Sequence, residues 1–195
     1  MAKLLPYLEP GRIEAGCDEA GRGCLSGPVV AAAVVLDAET ARALALDDSK
    51  KLSEKKRDKL RELIEEKALA WAVSFVSNEK IDEINILQAS LLAMKRSVEN
   101  LNVKPKKILV DGAYTFPCSI DIQSIVGGDN LVPSISAASI IAKVHRDNLM
   151  REYSKEFPNY GFHKHNGYPT KFHKEMIKRH GITRIHRQTF KGVNQ

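Results

Sequence analysis

Residues 13–36 read IEAGCDEAGRGCLSGPVVAAAVVL, which is two apolar stretches separated by a glycine-rich turn. The first stretch, residues 13–18, predicts a short strand whose end carries Asp18 and Glu19. The second, residues 28–36, is an unbroken run of β-branched residues and alanine, which is typical of a strand buried on both faces. The segment therefore predicts two strands joined by a tight turn.

Apolar residues at helical spacing indicate helices in the segments that follow. Ser53 is a suitable N-cap for a helix that runs to about residue 70, and Asn78 is a suitable N-cap for a stretch that breaks near Asn85. A third helix is predicted from an apolar stripe whose members recur every three or four residues, namely Leu87, Leu91, Met94, Val98 and Leu101.

The remaining pattern decides the fold class. Three further strands are predicted, at residues 71–77, 107–111 and 121–126. Pro133 predicts the start of a long helix to about residue 156, and Pro169 and Gly181 predict the start and end of a last helix. Strands come first and then alternate with helices, which predicts an α/β domain with a mixed sheet and helices packed on it.

Composition narrows the class of protein. A chain of 195 residues, 43% hydrophobic and 28% charged, is typical of one globular domain with a small appendage. The longest apolar run, residues 27–36, is too short to span a membrane, and residues 1–12 do not resemble a secretory signal. Three cysteines without a CxxC pair, Cys17, Cys24 and Cys118, indicate a reducing compartment, so we expect a cytoplasmic protein.

Positive charge is concentrated at the C-terminal end. The net charge is +6, and residues 145–195 contain 11 Lys and Arg against 4 Asp and Glu. The same residues hold all six histidines and seven of the twelve aromatic residues. Basic residues interleaved with aromatic ones are typical of a surface that binds a phosphate backbone, although a solvated basic face without a partner gives the same pattern.

Four acidic residues follow predicted strands. Asp18 and Glu19 end the first strand, Asp111 ends another, and Asp129 comes just after a third. Ligands of open α/β sheets gather at strand ends, where clustered carboxylates would repel one another unless cations lay between them. Two Mg²⁺ ions about 4 Å apart can activate a water molecule and stabilise the leaving oxygen when a phosphodiester is cleaved. The alternative is that these acids only form turns and helix caps.

The turn formed by Gly21, Arg22 and Gly23 is a candidate ligand contact. It is not a dinucleotide-binding loop, because Pro28 and a strand follow where that fingerprint needs a helix. Glycines allow backbone N–H groups to approach a ligand closely, and Arg22 is suited to a phosphate. A 2′-hydroxyl is the group that such a turn would read in RNA. The alternative is that the glycines serve only the turn.

A series of short motifs runs in order from residue 16 to about residue 190. They are GCDEAGRG at 16–23, GPVVA at 27–31, DSKKLS at 48–53, NILQAS at 85–90, DG at 111–112, GD at 128–129, ISAASIIAKVHRD at 135–147, GYPT at 167–170 and HR at 186–187. Each motif is weak alone, but the ordered set closely resembles the bacterial ribonuclease HII family.

The resemblance implies a ribonuclease H-like fold, a mixed five-stranded sheet flanked by helices. It implies a catalytic domain of residues 1–156 and a basic helical extension of residues 157–195 packed on it. The implied activity is endonucleolytic cleavage of the RNA strand of RNA–DNA hybrids, and of single ribonucleotides embedded in duplex DNA, leaving 3′-hydroxyl and 5′-phosphate ends. Mg²⁺ or Mn²⁺ is implied as cofactor, with two ions during catalysis, and we expect a monomer.

The resemblance also assigns roles to residues. The metal carboxylates fall on Asp18, Glu19, Asp111 and Asp129, the ribose-reading turn on Gly21, Arg22 and Gly23, and the substrate tyrosine on Tyr168. Lys50 and Lys143 are candidate phosphate contacts, although lone lysines are more often simply solvated.

Three further positions bear on the predicted site, one as a competing ligand and two as departures from the family pattern. Asp147 competes with Asp129 as a fourth ligand, but Lys143 and Arg146 on the same predicted helix favour an ion pair with it instead. The family pattern usually has proline where Cys24 stands and lysine where Asn166 stands, and the second departure removes one candidate phosphate contact.

Two other functions remain open. A noncatalytic nucleic-acid-binding module would use the same basic surface, but bare carboxylates would repel the phosphates. A nuclease of the same fold that acts on DNA alone would use the same metal site.

Overall fold

The computed structural model describes residues 12–44, 46 and 52–194. Five strands form one sheet in the order β3-β2-β1-β4-β5, with β1 antiparallel to β2, β2 antiparallel to β3, and β4 parallel to both β1 and β5. Their bounds are β1 Glu14–Ala20, β2 Val29–Val35, β3 Ala70–Val76, β4 Lys107–Asp111 and β5 Asp121–Ile125. The predicted mixed five-stranded sheet is confirmed.

Helices cover both faces of this sheet. In the described part of the chain they are α1 (Ala38–Leu44), α2 (Glu54–Lys67), α3 (Asn78–Ile84), α4 (Ile86–Glu99), α5 (Pro133–Glu156), α6 (Phe162–His165) and α7 (Lys171–His180). Two 3₁₀ turns, Gly128–Asn130 and Pro158–Tyr160, lie before α5 and before α6. The long helix predicted from Pro133 is confirmed, whereas α1 and α6 were not predicted.

Two predicted helix starts differ from the structure by one or two residues. Ser77, not Asn78, caps α3 by accepting a hydrogen bond from the Lys80 N–H. Asn78 is instead buried, and its amide donates to the carbonyls of Arg184 and His186, so a tertiary contact decided between two adjacent cap-forming residues.

The last helix starts after its proline. Thr170, not Pro169, caps α7 by accepting from the His173 N–H, and Gly181 ends the helix as predicted. Asn85 separates α3 from α4 with a φ of 66°, and its side chain caps α4, which confirms the predicted break.

The two faces of β1 carry different helices. Ala15 and Cys17 pack in the same apolar cluster as residues of α4, while the other face lies against α5. A Cβ at Gly16 would lie 2.2 Å from the Ser134 carbonyl carbon and 2.3 Å from the Ile135 nitrogen. The missing side chain at Gly16 is therefore what lets α5 approach β1. All seven residues of β2 are buried, as its unbroken apolar run predicts.

The C-terminal segment packs against the β1–β2 connection. Leu25 and Met150 share an apolar cluster with side chains of the segment, namely Tyr160, Phe162, Met176, Ile177, Ile185 and Val193. Backbone hydrogen bonds join Leu25 to Gly167 and Gly27 to Ile185. α5 ends at Glu156; the division into a domain of residues 1–156 and an extension of residues 157–195 stays a prediction.

None of the helices that the structure describes is long and apolar enough to cross a membrane.

Replacing Gly16 by alanine tests the close contact between β1 and α5. Because the added Cβ meets backbone that cannot rotate away, we expect Gly16→Ala to lower the free energy of unfolding by about 3 kcal/mol. Chemical denaturation measures this. The matched control is Gly23→Ala, whose Cβ meets nothing within 4 Å and should change stability by less than about 0.5 kcal/mol. Equal midpoints for the two variants would contradict the packing described.

Candidate active site

A cavity of about 500 Å³ opens where β1 and β4 end. It is lined by most of the residues singled out in the sequence, namely Asp18, Glu19, Gly21, Arg22, Gly23, Asp111, Lys143 and Tyr168, together with Ala20, Arg57 and Ser139. Lys50 lies outside the described residues. Arg57 was not predicted, because nothing in the pattern of α2 distinguishes it from the other basic residues of that helix.

The parallel pairing of β1 with β4 brings two carboxylates together. Cys17 pairs with Val110 in this ladder, so the following residues, Asp18 and Asp111, lie side by side. Asp18 is only 6% exposed, and it accepts a hydrogen bond of 2.7 Å from the Glu19 N–H. Asp18 and Glu19 are near the C-terminal end of β1 but within it, since the strand continues to Ala20.

Mutual repulsion marks Asp18, Glu19 and Asp111 as one electrostatic group. Burial raises the pKa of Asp18 well above its ordinary value of 3.8, and the charges of Glu19 and Asp111 raise it further. Burial also raises the pKa of Glu19, against the opposing effect of Arg22, which lies 3.2 Å from its carboxylate. Negative charge here is therefore unfavourable unless a proton or a cation compensates it.

The donor chemistry of this group fits a hard divalent cation. All three side chains offer carboxylate oxygens, which Mg²⁺ and Mn²⁺ prefer. Among the described residues, no three or more His, Cys, Asp or Glu side chains stand close enough together to hold a metal as they are placed. The Glu19 carboxylate is turned towards Arg22, which gives it a counter-charge.

Asp129 lies beside the group but not in the cavity. The Gly128 N–H donates to Asp111 Oδ1 at 2.7 Å, which holds the 3₁₀ turn Gly128–Asn130 next to β4. Asp129 is buried in that turn and accepts a 2.8 Å hydrogen bond from the Asn130 amide. The structure therefore brings three of the four predicted carboxylates to one cavity and places the fourth on a neighbouring turn.

The glycine-rich turn rests on two buried guanidinium groups. Gly21 has a φ of 96°, and a Cβ there would lie 2.0 Å from Arg146 Nε. Arg187 donates to the Arg22 carbonyl and to the Gly27 carbonyl at 2.9 and 3.0 Å. The turn thus has both a backbone conformation and a close contact that only glycine accommodates at position 21.

Arg146 does not pair with Asp147, so that part of the prediction is wrong. Its guanidinium donates to three backbone carbonyls, those of Ser26, Pro28 and Asn166, at 2.8–3.0 Å. Lys143 alone pairs with Asp147, at 2.7 Å. The carbonyls come from segments 20 and about 120 residues away, which helical spacing within α5 does not reveal.

Tyr168 stands at the rim of the cavity. Its side chain is 43% exposed, and Lys143 Nζ lies 5.9 Å from the centre of its ring. Asn166, two residues earlier, has a φ of 48°, a left-handed conformation that asparagine tolerates better than lysine does. The departure at this position therefore suits the local backbone.

Comparison with known proteins shows the family of the chain. The sequence matches the family model described as Ribonuclease HII over residues 15–193. It is 56% identical to the ribonuclease HII of Parabacteroides distasonis over 188 residues, which cover 96% of this chain and 94% of the relative.

Two solved structures resemble the fold. One is the ribonuclease H2 of Pyrococcus horikoshii OT3, with a TM-score of 0.78, 29% identity, and coverage of 92% of this chain and 94% of the other. The second is the ribonuclease HII of Archaeoglobus fulgidus in complex with PCNA, with a TM-score of 0.77, 30% identity, and coverage of 92% and 95%. Because both the family match and the relatives span almost the whole chain, this chain belongs to the ribonuclease HII family.

Proposed function

We propose that the chain cleaves the RNA strand of RNA–DNA hybrids, and single ribonucleotides embedded in duplex DNA, leaving 3′-hydroxyl and 5′-phosphate ends. The family to which it belongs is one of RNA–DNA hybrid endonucleases. The observation that carries the finer proposal is that Asp18, Glu19 and Asp111 meet in one cavity whose rim is formed by the glycine turn and Tyr168.

Asp18, Glu19, Asp111 and Asp129 would hold two Mg²⁺ or Mn²⁺ ions. Bound ions of this kind activate a water molecule and stabilise the leaving 3′-oxygen of a phosphodiester. The chain itself supplies the oxygen donors and keeps them in place, through the β1–β4 ladder for Asp18 and through the Gly128 N–H for Asp111. No histidine lines the cavity among the described residues, so no histidine base is assigned.

The rim of the cavity would select ribose. Gly21, Arg22 and Gly23 present backbone close to the carboxylates, where a 2′-hydroxyl beside the scissile phosphate would lie. Tyr168 lines the same cavity and is partly exposed, which suits a contact with the neighbouring nucleotide. Lys143 also lines the cavity, so it is close enough to contact a phosphate there. Its ion pair with the buried Asp147 supports a structural role for the Asp147 carboxylate.

A basic groove beside the cavity would hold the duplex. It has a volume of about 1010 Å³, shares Gly23 with the carboxylate cavity, and is lined by Lys174, Lys178 and Lys191. Residues 157–195 contain eight Lys and Arg and one acidic residue, Glu175. Such a surface favours a phosphate backbone. We further propose that the chain acts as a monomer in a reducing, cytoplasmic compartment, where its free cysteines are stable.

The carboxylate cluster is tested by Asp111→Asn. The variant keeps an oxygen that can accept the Gly128 N–H but removes a negative charge, so we expect cleavage of a hybrid to fall by at least about 10³-fold while hybrid binding is retained. A gel assay and a binding titration measure the two effects. The control is Asp121→Asn at the far end of β5, which should leave cleavage unchanged. Full activity of Asp111→Asn would reject the site.

Substrate choice is tested with three duplexes of one sequence, which contain no ribonucleotide, one ribonucleotide, or a complete RNA strand. In the presence of Mg²⁺ we expect cleavage of the last two only, with products that carry a 5′-phosphate. The reason is that the proposed function assigns contact with the 2′-hydroxyl to the glycine turn, which lines the cavity together with the carboxylates. Equal cleavage of the all-DNA duplex would favour the DNA nuclease, and metal-independent binding without cleavage would favour the noncatalytic module.

Metal binding is tested by thermal unfolding, independently of activity. A ligand present at 100 times its dissociation constant stabilises a protein by about 2.7 kcal/mol, so Mg²⁺ or Mn²⁺ should raise the unfolding temperature relative to a sample with chelator. In Asp111→Asn the rise should largely disappear. Without metal this variant should be at least as stable as the wild type, because it relieves repulsion on Asp18 and Glu19. The same rise in both proteins would argue against this site.

A further inference from the structure

Two buried histidines beneath Tyr168 have no part in the proposed chemistry. His173, on α7, is 0% exposed, and His186, in the segment that follows, is 1% exposed. Their Nε2 atoms lie 3.1 Å apart, so one ring must donate a hydrogen bond to the other.

The hydrogen-bond partners of the two rings determine which ring nitrogens carry a proton. The carbonyl of Tyr168 lies 2.9 Å from His173 Nδ1 and can only accept, so this nitrogen carries a proton. The Thr183 N–H donates to His186 Nδ1 at 2.8 Å, so that nitrogen carries none, and the proton of a neutral His186 is on Nε2. The chain of hydrogen bonds therefore runs from Thr183 through His186 and His173 to the Tyr168 carbonyl.

An additional proton would break this chain. A proton on His173 Nε2 would face the N–H of His186 at 3.1 Å, and a proton on His186 Nδ1 would face the Thr183 N–H. Burial lowers the pKa of both rings to about 4, which agrees with two neutral histidines at neutral pH. The titratable groups that face the pair are His165, stacked at 4.5 Å on His173, and Tyr160, whose ring lies 5.4 Å from that of His186.

His165 holds the residues that precede Tyr168 in the same loop. His165 Nε2 lies 2.9 Å from the Tyr160 carbonyl, and its Nδ1 accepts from the Gly167 N–H. The Tyr168 N–H donates to the His165 carbonyl at 2.9 Å. The Tyr168 carbonyl also accepts from the Thr170 N–H, so the peptide groups on both sides of Tyr168 are held while its ring points into the rim of the cavity.

We infer that His173 and His186 are positioning residues, which hold the Tyr168 ring at the rim of the carboxylate cavity through its backbone carbonyl. This inference rests on the proposed function, because the substrate contact of Tyr168 is part of that proposal. The two histidines touch no cavity-lining carboxylate and act on the reaction only through Tyr168.

A double-mutant cycle tests the inference with a duplex that contains one ribonucleotide. His186→Phe removes the donor to His173, and a misplaced ring should lower kcat/KM by about tenfold. His186→Gln keeps an N–H near the Nε2 position and should retain most of the activity. In a Tyr168→Ala background, His186→Phe should cause no further loss, because residues that act through one another are not additive. The control is His180→Gln, an exposed histidine at the end of α7, which should change nothing.

Losses that multiply in the double variant would overturn the inference, and so would full activity of His186→Phe. A wild type that cleaves no ribonucleotide-containing duplex would instead overturn the proposed function itself. The two failures are therefore distinguishable.

Nuclear magnetic resonance of the ¹⁵N-labelled wild type tests the chain of hydrogen bonds without any variant that could fail to fold. We expect one fixed tautomer for each ring, with the proton on Nδ1 of His173 and on Nε2 of His186, unchanged between about pH 5 and 8. A mixture of tautomers, or titration of either ring near its ordinary pKa of 6.5, would overturn the inference.

Discussion

Two buried guanidinium groups hold together the segments that surround the cavity. Arg146 and Arg187 are almost completely inaccessible, and each donates to backbone carbonyls rather than to a carboxylate among the described residues. Phe190 covers the Arg187 guanidinium at 5.0 Å, and burial lowers the pKa of Arg187 to about 10. Removing Arg146 would take the donor from three backbone carbonyls and removing Arg187 would take it from two, which is costly where the carbonyl is buried. Arg146 joins the loop before Tyr168 to Ser26 and Pro28, and Arg187 joins the glycine turn to Gly27. The two arginines therefore link the loop and the turn through residues 26–28.

Groups of opposite charge lie close together around the cavity: the carboxylates at the ends of β1 and β4, and the guanidinium groups under the glycine turn. Asp18, Glu19 and Asp111 concentrate negative charge that burial makes unfavourable, whereas the two arginines place positive charge under the adjacent turn. A polyanion is attracted by the second group and repelled by the first. Cations bound between the carboxylates would remove that repulsion. The ions that would make the cluster reactive would therefore also stabilise it.

Local patterns predicted the elements of the fold, and long-range contacts decided the site. β2, α4 and α5 follow from composition and spacing alone, because each pattern is contained within its own segment. The convergence of Asp18 with Asp111 depends on the parallel register of β1 and β4, which strand-end acids suggest but do not fix. The partners of Arg187 lie about 160 residues away. The tautomers of His173 and His186 depend on two backbone groups, the Tyr168 carbonyl and the Thr183 N–H. The motif at 186–187 marks two of these residues, but the local sequence does not reveal their partners.

Backbone carbonyls are the groups through which Arg146 and Arg187 hold the rim of the cavity, and this determines which substitutions the rim accommodates. Arg146 binds the carbonyl of Asn166, a group that any residue supplies, so asparagine in place of the lysine that the family resemblance implies keeps this anchor. The Cys24 N–H donates to the Gly21 carbonyl at 3.4 Å, a long and therefore weak bond that the proline implied by the resemblance would lack. Gly21 has no such freedom, since a Cβ would strike the Arg146 side chain. The rim therefore depends on backbone groups that changed side chains leave in place, whereas an added atom at Gly21 is not accommodated.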